Sequence, residues 1–232
     1  MKGLLLRAIS FSFNKTQTPF FNDLSTSFER DALHFIMGKN GVGKTTLFRI
    51  LGGNYPADSM IAGTICIDDT CYDLTDARNK QQLKTRVQLV TQNPKDMTIG
   101  CLTVEENMQM ASLGHLPKFA PLPSAKPLYD IQKQYGISPL MRVDDLSGGQ
   151  RQVLAILMAL QRHCSIVLLD EPTAALDDKN SALVLACIKE IVSKGIIVLF
   201  ITHDKELARL YDGNATCRQI TSDENGTRCI SS

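Results

Sequence analysis

The chain lacks any strong excess of charge. Its 232 residues carry 25 Lys and Arg against 24 Asp and Glu, a net charge of +1. No broad basic surface for nucleic acid or acidic lipid is advertised at this level. It also lacks an apolar run near the roughly 18 residues that a membrane-spanning helix needs. A membrane role would therefore be borrowed from a partner. Near the N-terminus, "GLLL" is cut short by Arg7, and no small-residue cleavage site follows, so a strand is expected there rather than a signal peptide. The seven cysteines are odd in number and contain no C-x-x-C pair. They are read as reduced thiols, and ligand spacing for a metal is missing. No internal repeat is visible.

What is present is an ordinary globular composition, 44% hydrophobic and 21% charged, ample for a core. "DALHFIMG" (31–38) reads as a buried strand entering a glycine loop, and "TTLFRILGG" as the following helix, ending at Gly52-Gly53. "GTICIDD" (63–69) and "RVQLVTQ" (86–92) read as further strands. From about 95 to 160 the pattern turns helical. It is broken by "LPKFAPLPSAKP", whose Pro117, Pro121, Pro123 and Pro127 forbid a continuous helix and suggest a surface loop. "SIVLLDEP" (165–172) and "IIVLFITHD" (196–204) are continuous apolar runs, as expected of parallel strands buried on both faces. The helical pattern "NSALVLACIKEIVSKG" (180–195) lies between them. Strand, helix, strand implies an α/β fold with a parallel sheet. The last twenty residues are polar, and no added regulatory domain is expected in them.

Gly38 to Thr45 fits G-x-x-x-x-G-K-[ST] in full. Glycines let backbone N–H groups approach phosphate oxygens, and the next helix aims its positive end at the same anion. The nucleotide-binding set is Gly38, Asn40, Gly41, Gly43, Lys44, Thr45 and Thr46. Lys44 is expected to bridge β- and γ-phosphates, and the Thr45 hydroxyl to hold Mg²⁺. Asp170 ends an apolar strand and can reach the same Mg²⁺. Glu171 is then free to orient and polarise an attacking water. A second glycine-rich stretch, "LSGGQ" (146–150), offers the Ser147 hydroxyl and the amides of Gly148 and Gly149 at a helix beginning near Gln150.

In sequence order stand the glycine loop at 38–45, Gln92 in "VTQNP", "LSGGQ", "LLDEP" with Glu171, "AALD" at 174–177 and His203 in "ITHD". Six motifs in that order and spacing resemble the ATP-binding cassette (ABC) ATPases over nearly the whole chain. The resemblance implies a P-loop cassette with a mixed β core, an N-terminal antiparallel β subdomain and a helical subdomain. Residues 1–94 and 161–232 would form the catalytic core with its antiparallel portion, and about 95–160 the helical part ending in the signature.

The resemblance also implies a head-to-tail homodimer in which each ATP lies between one P-loop and the partner's signature. Ser147, Gly148, Gly149 and Gln150 would then contact nucleotide across the interface, where Asp177 also acts. Gln92 would sense Mg²⁺ and the attacking water, and His203 would contact the γ-phosphate. Phe13 would stack on adenine, with Phe11 behind it. The family often has Tyr there, but stacking needs only a ring face. ATP and Mg²⁺ are the implied cofactors.

Three kinds of ABC protein fit. The first is the ATPase of an importer with separate permease subunits and, in some cases, a solute-binding protein. It would sit peripherally on the cytoplasmic face of the membrane, and no nucleic acid is expected as a partner. "LTVEENMQMA" and "QRQVLAILMAL" favour this reading, with an amino acid or similar small solute as cargo. The alternatives are an exporter or lipid-extraction ATPase and a soluble ABC ATPase acting on ribosomes or DNA.

Overall fold

The computed structural model describes residues 3–14, 19–113, 134–161, 164–174, 176–222 and 228–231. The proline-rich segment at 116–127 lies outside the described residues.

Two sheets organise the chain. The first is antiparallel and runs β2-β1-β4-β5, from β1 (Gly3–Ser12), β2 (Phe21–Glu29), β4 (Met60–Ile67) and β5 (Thr70–Asp73). The second runs β10-β9-β3-β8-β7-β6. It is built from β3 (Leu33–Met37), β6 (Val87–Val90), β7 (Ile166–Asp170), β8 (Ile197–Ile201), β9 (Ala215–Ser222) and β10 (Arg228–Ser231). All its neighbours pair in parallel except β10 with β9, which form an antiparallel edge. The helices are α1 (Lys44–Leu51), α2 (Ala77–Arg86), α3 (Val104–Ser112), α4 (Gly148–Leu160), α5 (Asp178–Ser193) and α6 (Lys205–Leu210).

The apolar runs of β7 and β8 explain the layering. Successive residues of a strand point to opposite faces, so a strand covered on both sides must be apolar throughout. Val167, Leu169, Val198 and Phe200 join one core with α4 and α5, through Val153, Leu154, Leu157, Val184, Ile188 and Ile191. Ile166, Leu168, Ile197, Leu199 and Ile201 join the other core, with α1 and the antiparallel sheet, through Leu47, Phe48, Leu6, Ile9 and Phe11.

The expected strands and helices at 31–38, 45–53, 63–69, 86–92, 165–172 and 180–195 all appear, within a few residues of the anticipated ends. Helix α4 starts at Gly148 rather than near Gln150, because Ser147 caps it: its hydroxyl accepts the Gln150 amide, and the Gln150 side chain accepts the Ser147 amide.

One reading is corrected. Cys66 and Cys71 are joined in a disulfide, while Cys101, Cys164, Cys187, Cys217 and Cys229 are free. The β4–β5 hairpin places Cys66 directly opposite Cys71, a pairing that linear spacing did not reveal. Cysteine content therefore gives no argument for a reducing compartment.

Between those cysteines, Asp68 fastens the two layers together. Its carboxylate accepts Nε of Arg30 at 2.9 Å and the Gly3 amide at 3.1 Å, and a second guanidinium nitrogen of Arg30 pairs with its other oxygen. Arg30 also reaches the Gly195 carbonyl, just before β8. The bonded guanidinium holds the Asp68 carboxyl below its usual range. That contribution is full above the unfolded value, about 3.9, and is lost as pH falls through the lower folded value. Arg30→Ala is expected to cost about 1–3 kcal/mol at pH 7. Urea unfolding should show the gap to the parent narrowing as pH drops below about 4, and an undiminished gap there would contradict the clamp.

Candidate functional site

Strands β3, β8 and β7 end level. Ile36 pairs with Ile201, and Ile201 with Asp170, so three loops leave one sheet edge side by side. They carry residues 38–43, Asp170 with Glu171, and Thr202 with His203. Ligands of open α/β sheets bind at such carboxyl ends.

The loop after β3 passes through Gly43, which precedes α1 with φ 115°. A methyl group at Gly43 would lie 2.7 Å from Cε1 of Phe20 and 3.1 Å from Cζ of Phe21, so the backbone conformation and the space both exclude a side chain. No side chain caps α1, and no acidic residue stands in its first turn. Its amides and positive end are therefore left for an outside anion, which is the property a phosphate cradle needs. Gly38, Asn40, Gly41 and Thr46 lie on this same loop and helix start.

Lys44 is buried, and its ammonium donates to the carbonyls of Gly38 at 2.8 Å and Lys39 at 3.2 Å. Burial lowers its pKa, opposed by the nearby Glu171 and Asp170. The Thr45 hydroxyl donates to Asp170 Oδ2 at 3.2 Å. Burial raises the pKa of Asp170; the Thr45 hydrogen bond opposes this, and the neighbouring Glu171 adds to it. A hydroxyl and a carboxylate side by side, next to an anion cradle, suit Mg²⁺ shared with a phosphate. The donor set thus fits the implied cation.

Glu171 sits in the left-handed backbone region, φ 49°, which is uncommon for a non-glycine residue. Its amide is tied to the Ile201 carbonyl at 3.1 Å, and its carboxylate lies 2.5 Å from Nε2 of His203. A carboxylate and an imidazole held together at a phosphate site can take up and orient the protons of a water.

Phe13 is half-buried, edge-on to Phe11 at 5.0 Å and to Phe20 at 5.1 Å. Phe20 does not stand out in the sequence. It packs on Gly43 and carries the Arg228 guanidinium 3.5 Å above its ring. Its only linear signal is an aromatic shortly before β2.

Gln92 is exposed after β6 and shares a cavity of about 520 Å³ with Gly148, Arg151, Pro172, Ala174 and Leu176. Ser147 and Gly148 are exposed and Gly149 is buried. The Gln150 side-chain amide donates to the carbonyls of Tyr135 and Gly136, so the capping box and these bonds occupy its polar atoms. Asp177 caps α5 by accepting the Asn180 amide at 2.7 Å. The structure thus brings Lys44, Thr45, Asp170, Glu171 and His203 to one sheet edge, with direct contacts between Thr45 and Asp170 and between Glu171 and His203. The signature and Asp177 lie beside Gln92 and α5.

The family described as "ABC transporter" matches residues 21–174. An arabinose import ATP-binding protein, AraG of Pseudomonas savastanoi pv. phaseolicola, is 30% identical over 191 residues, covering 80% of this chain and 36% of that protein. The chain therefore spans little more than a third of that relative's length. A phosphonates import ATP-binding protein, PhnC of Rhodopseudomonas palustris, is 32% identical over 211 residues, covering 87% of this chain and 74% of that protein.

A nucleotide-free ATP-binding cassette from an ABC transporter superposes with a TM-score of 0.78 at 21% identity, covering 100% of this chain and 90% of that one. A dimeric bacterial ABC transporter cassette superposes at 0.68 with 23% identity, covering 94% and 93%. At these identities the solved structures establish the fold: an α/β P-loop cassette with a mixed sheet.

The packing at Gly43 gives a direct test. Gly43→Ala must strain φ and push Phe20 aside, at about 1–3 kcal/mol. A thermal melt should fall by about 2–4 °C per kcal/mol for a chain of this size. An unchanged melt would contradict the described approach of Phe20 to the loop.

Proposed function

The chain belongs to the ABC transporter family, and on that premise we propose that it is an ATP-hydrolysing motor subunit. It closes as a two-fold dimer around two ATP molecules and drives a solute through separate membrane subunits. The observation that carries this reading is the level strand edge. Along it stand an uncapped helix N-terminus, the Thr45–Asp170 pair and the Glu171–His203 pair, which support reading this edge as the nucleotide site.

The geometry supports the following roles. The amides of the 38–43 loop and α1 take the phosphates, and Lys44 exchanges its two loop carbonyls for phosphate oxygens. Thr45 and Asp170 would hold Mg²⁺, and Gln92 would sense it. Bound Mg²⁺ supplies neutralisation of phosphate charge. Glu171 accepts a proton from the attacking water as its oxygen bonds to the γ-phosphorus. The bond to the β–γ bridging oxygen breaks, and ADP and phosphate leave. His203 Nε2 steadies the Glu171 carboxylate before nucleotide binds and exchanges it for a γ-phosphate oxygen afterwards. Phe13 stacks on the adenine ring.

Ser147, Gly148 and Gly149 face the nucleotide of a second copy, with Asp177 at the same interface. The dimeric cassette among the structural neighbours supports such an arrangement. A symmetric pairing gives two composite sites. Hydrolysis then removes the contacts that hold the dimer closed.

The permease is proposed to dock at a second groove, separate from the cavity that holds Gln92. This cavity of about 280 Å³ is lined by Gln88, Met97, Ile99, Asn107, Met110 and Met158. Ile99 and Met110 are 41% and 42% exposed, and flexible Met side chains suit a docked helix. A turn at Pro94–Asp96 connects this groove to Gln92. A peripheral position on the cytoplasmic face, held through the permease, is part of the proposal; no helix among the described residues is long and apolar enough to cross a membrane.

We propose that residues 1–94 with 161–232 move as one lobe and about 95–160 as the other. The relatives named for arabinose and phosphonate import support an importer. A small organic solute is proposed as cargo, an amino acid being the class that the sequence pattern suggested, delivered by a solute-binding protein.

Glu171→Gln removes the proton acceptor while keeping the shape. Hydrolysis is expected to fall by roughly 10²–10⁴-fold. Light scattering at saturating ATP and Mg²⁺ should show a persistent dimer. A monomer under those conditions would overturn the two-chain site.

A further inference from the structure

The signature turn makes a contact that the cap of α4 does not need. The Ser147 hydroxyl donates to Asn180 Oδ1 at 3.0 Å while accepting the Gln150 amide at 3.2 Å. A hydroxyl has one proton, and here it is committed to Asn180. Asn180 also lies against Gly149. A methyl group on Gly149 would sit 2.5 Å from Asn180 Oδ1 and 2.7 Å from its Cβ. The second glycine of "LSGGQ" is therefore the space into which Asn180 packs. Asn180 stands in the first turn of α5, and its own amide donates to Oδ1 of the capping Asp177 at 2.7 Å. One residue thus links Asp177, Gly149 and Ser147.

We propose that Asn180 is a positioning residue. It holds the Ser147 hydroxyl in a waiting orientation and yields it to a phosphate oxygen of the partner-bound nucleotide when Asp177 meets that partner. The inference rests on the two-chain site proposed above. Its physical basis is competition for one proton: a hydroxyl donating to Asn180 cannot also donate to phosphate, so dimer closure exchanges one acceptor for the other. The cap connects the exchange to the interface, because a displaced Asp177 carries the first turn of α5 and the Asn180 side chain with it.

A neutral hydrogen bond corresponds to roughly a two- to tenfold change in an equilibrium constant. The test uses the full chain carrying Glu171→Gln, with dimerisation followed by light scattering over protein concentration at saturating ATP and Mg²⁺. Asn180→Ala is expected to tighten the dimer by roughly two- to tenfold, since a competitor for the proton is gone. In a chain that also carries Ser147→Ala, with protein concentration raised until its dimer is measured, Asn180→Ala should change nothing. A merely structural role at the start of α5 would shift both backgrounds alike.

Equal shifts, no shift in the parent background, or a weakened dimer there would overturn the proposal. Asn180→Ser, too short to reach Ser147, repeats the test, and a melt of each variant reports its folding. If the Glu171→Gln chain stays monomeric, the two-chain reading fails and this inference fails with it. If that chain dimerises and Asn180 is silent, only this inference fails.

Discussion

The register of three parallel strands is the constraint on which the site depends. Ile36, Ile201 and Asp170 stand in one row across β3, β8 and β7. That row makes the glycine loop, the Asp170–Glu171 pair and His203 emerge at one height. Burial on both faces keeps the strands from slipping, because a one-residue slip would exchange the residues of the two cores. Apolar residues of the two cores thereby set distances between the polar groups of the proposed site. The Arg30–Asp68 clamp joins this sheet to the antiparallel one, whose first strand leads to Phe13.

The polar groups at the centre of the proposed chemistry are already paired within the chain. Lys44 holds loop carbonyls, Thr45 holds Asp170, Glu171 meets His203, and Ser147 holds Asn180. These pairings satisfy groups that would be costly to leave without partners where they are buried. They also mean that nucleotide binding is an exchange of partners rather than a simple addition. Its net affinity is the difference between the new bonds to phosphate and the internal bonds they replace. The proposed motor would benefit from that balance, since a nearly even exchange is easily reversed when the γ-phosphate is removed.

The contiguous parts of the fold and site were legible in the sequence. Continuous apolar runs announced β3, β7 and β8, and glycine spacing announced the loop at 38–43. Other elements carried weak signals. Helix α2, "ARNKQQLKTR", buries only Leu83, so it has no apolar stripe to read. Strand β9 is an interior strand with a single buried residue, Ile220, and its polar composition reads as a tail. Ser147 and Gln150 form a capping box with a recognisable S-x-x-Q spacing, and reading it would have placed the start of α4 correctly. Phe20, Asn180 and the Cys66–Cys71 pair were hidden for a different reason. Each acquires its role through a residue that only folding brings near: Gly43, Ser147 and the opposite strand of a hairpin.

The central claim is that one chain's P-loop and another chain's signature share a nucleotide. Mixing tests it most directly. A Lys44→Ala chain retains its signature, and a Ser147→Arg chain retains its P-loop; each alone should be inactive. In a mixed dimer one site collects both lesions and the other is intact. The account predicts that ATP hydrolysis reappears when the two inactive chains are combined. A mixture as inactive as its components, although the chains associate, would show that P-loop and signature do not meet across two chains.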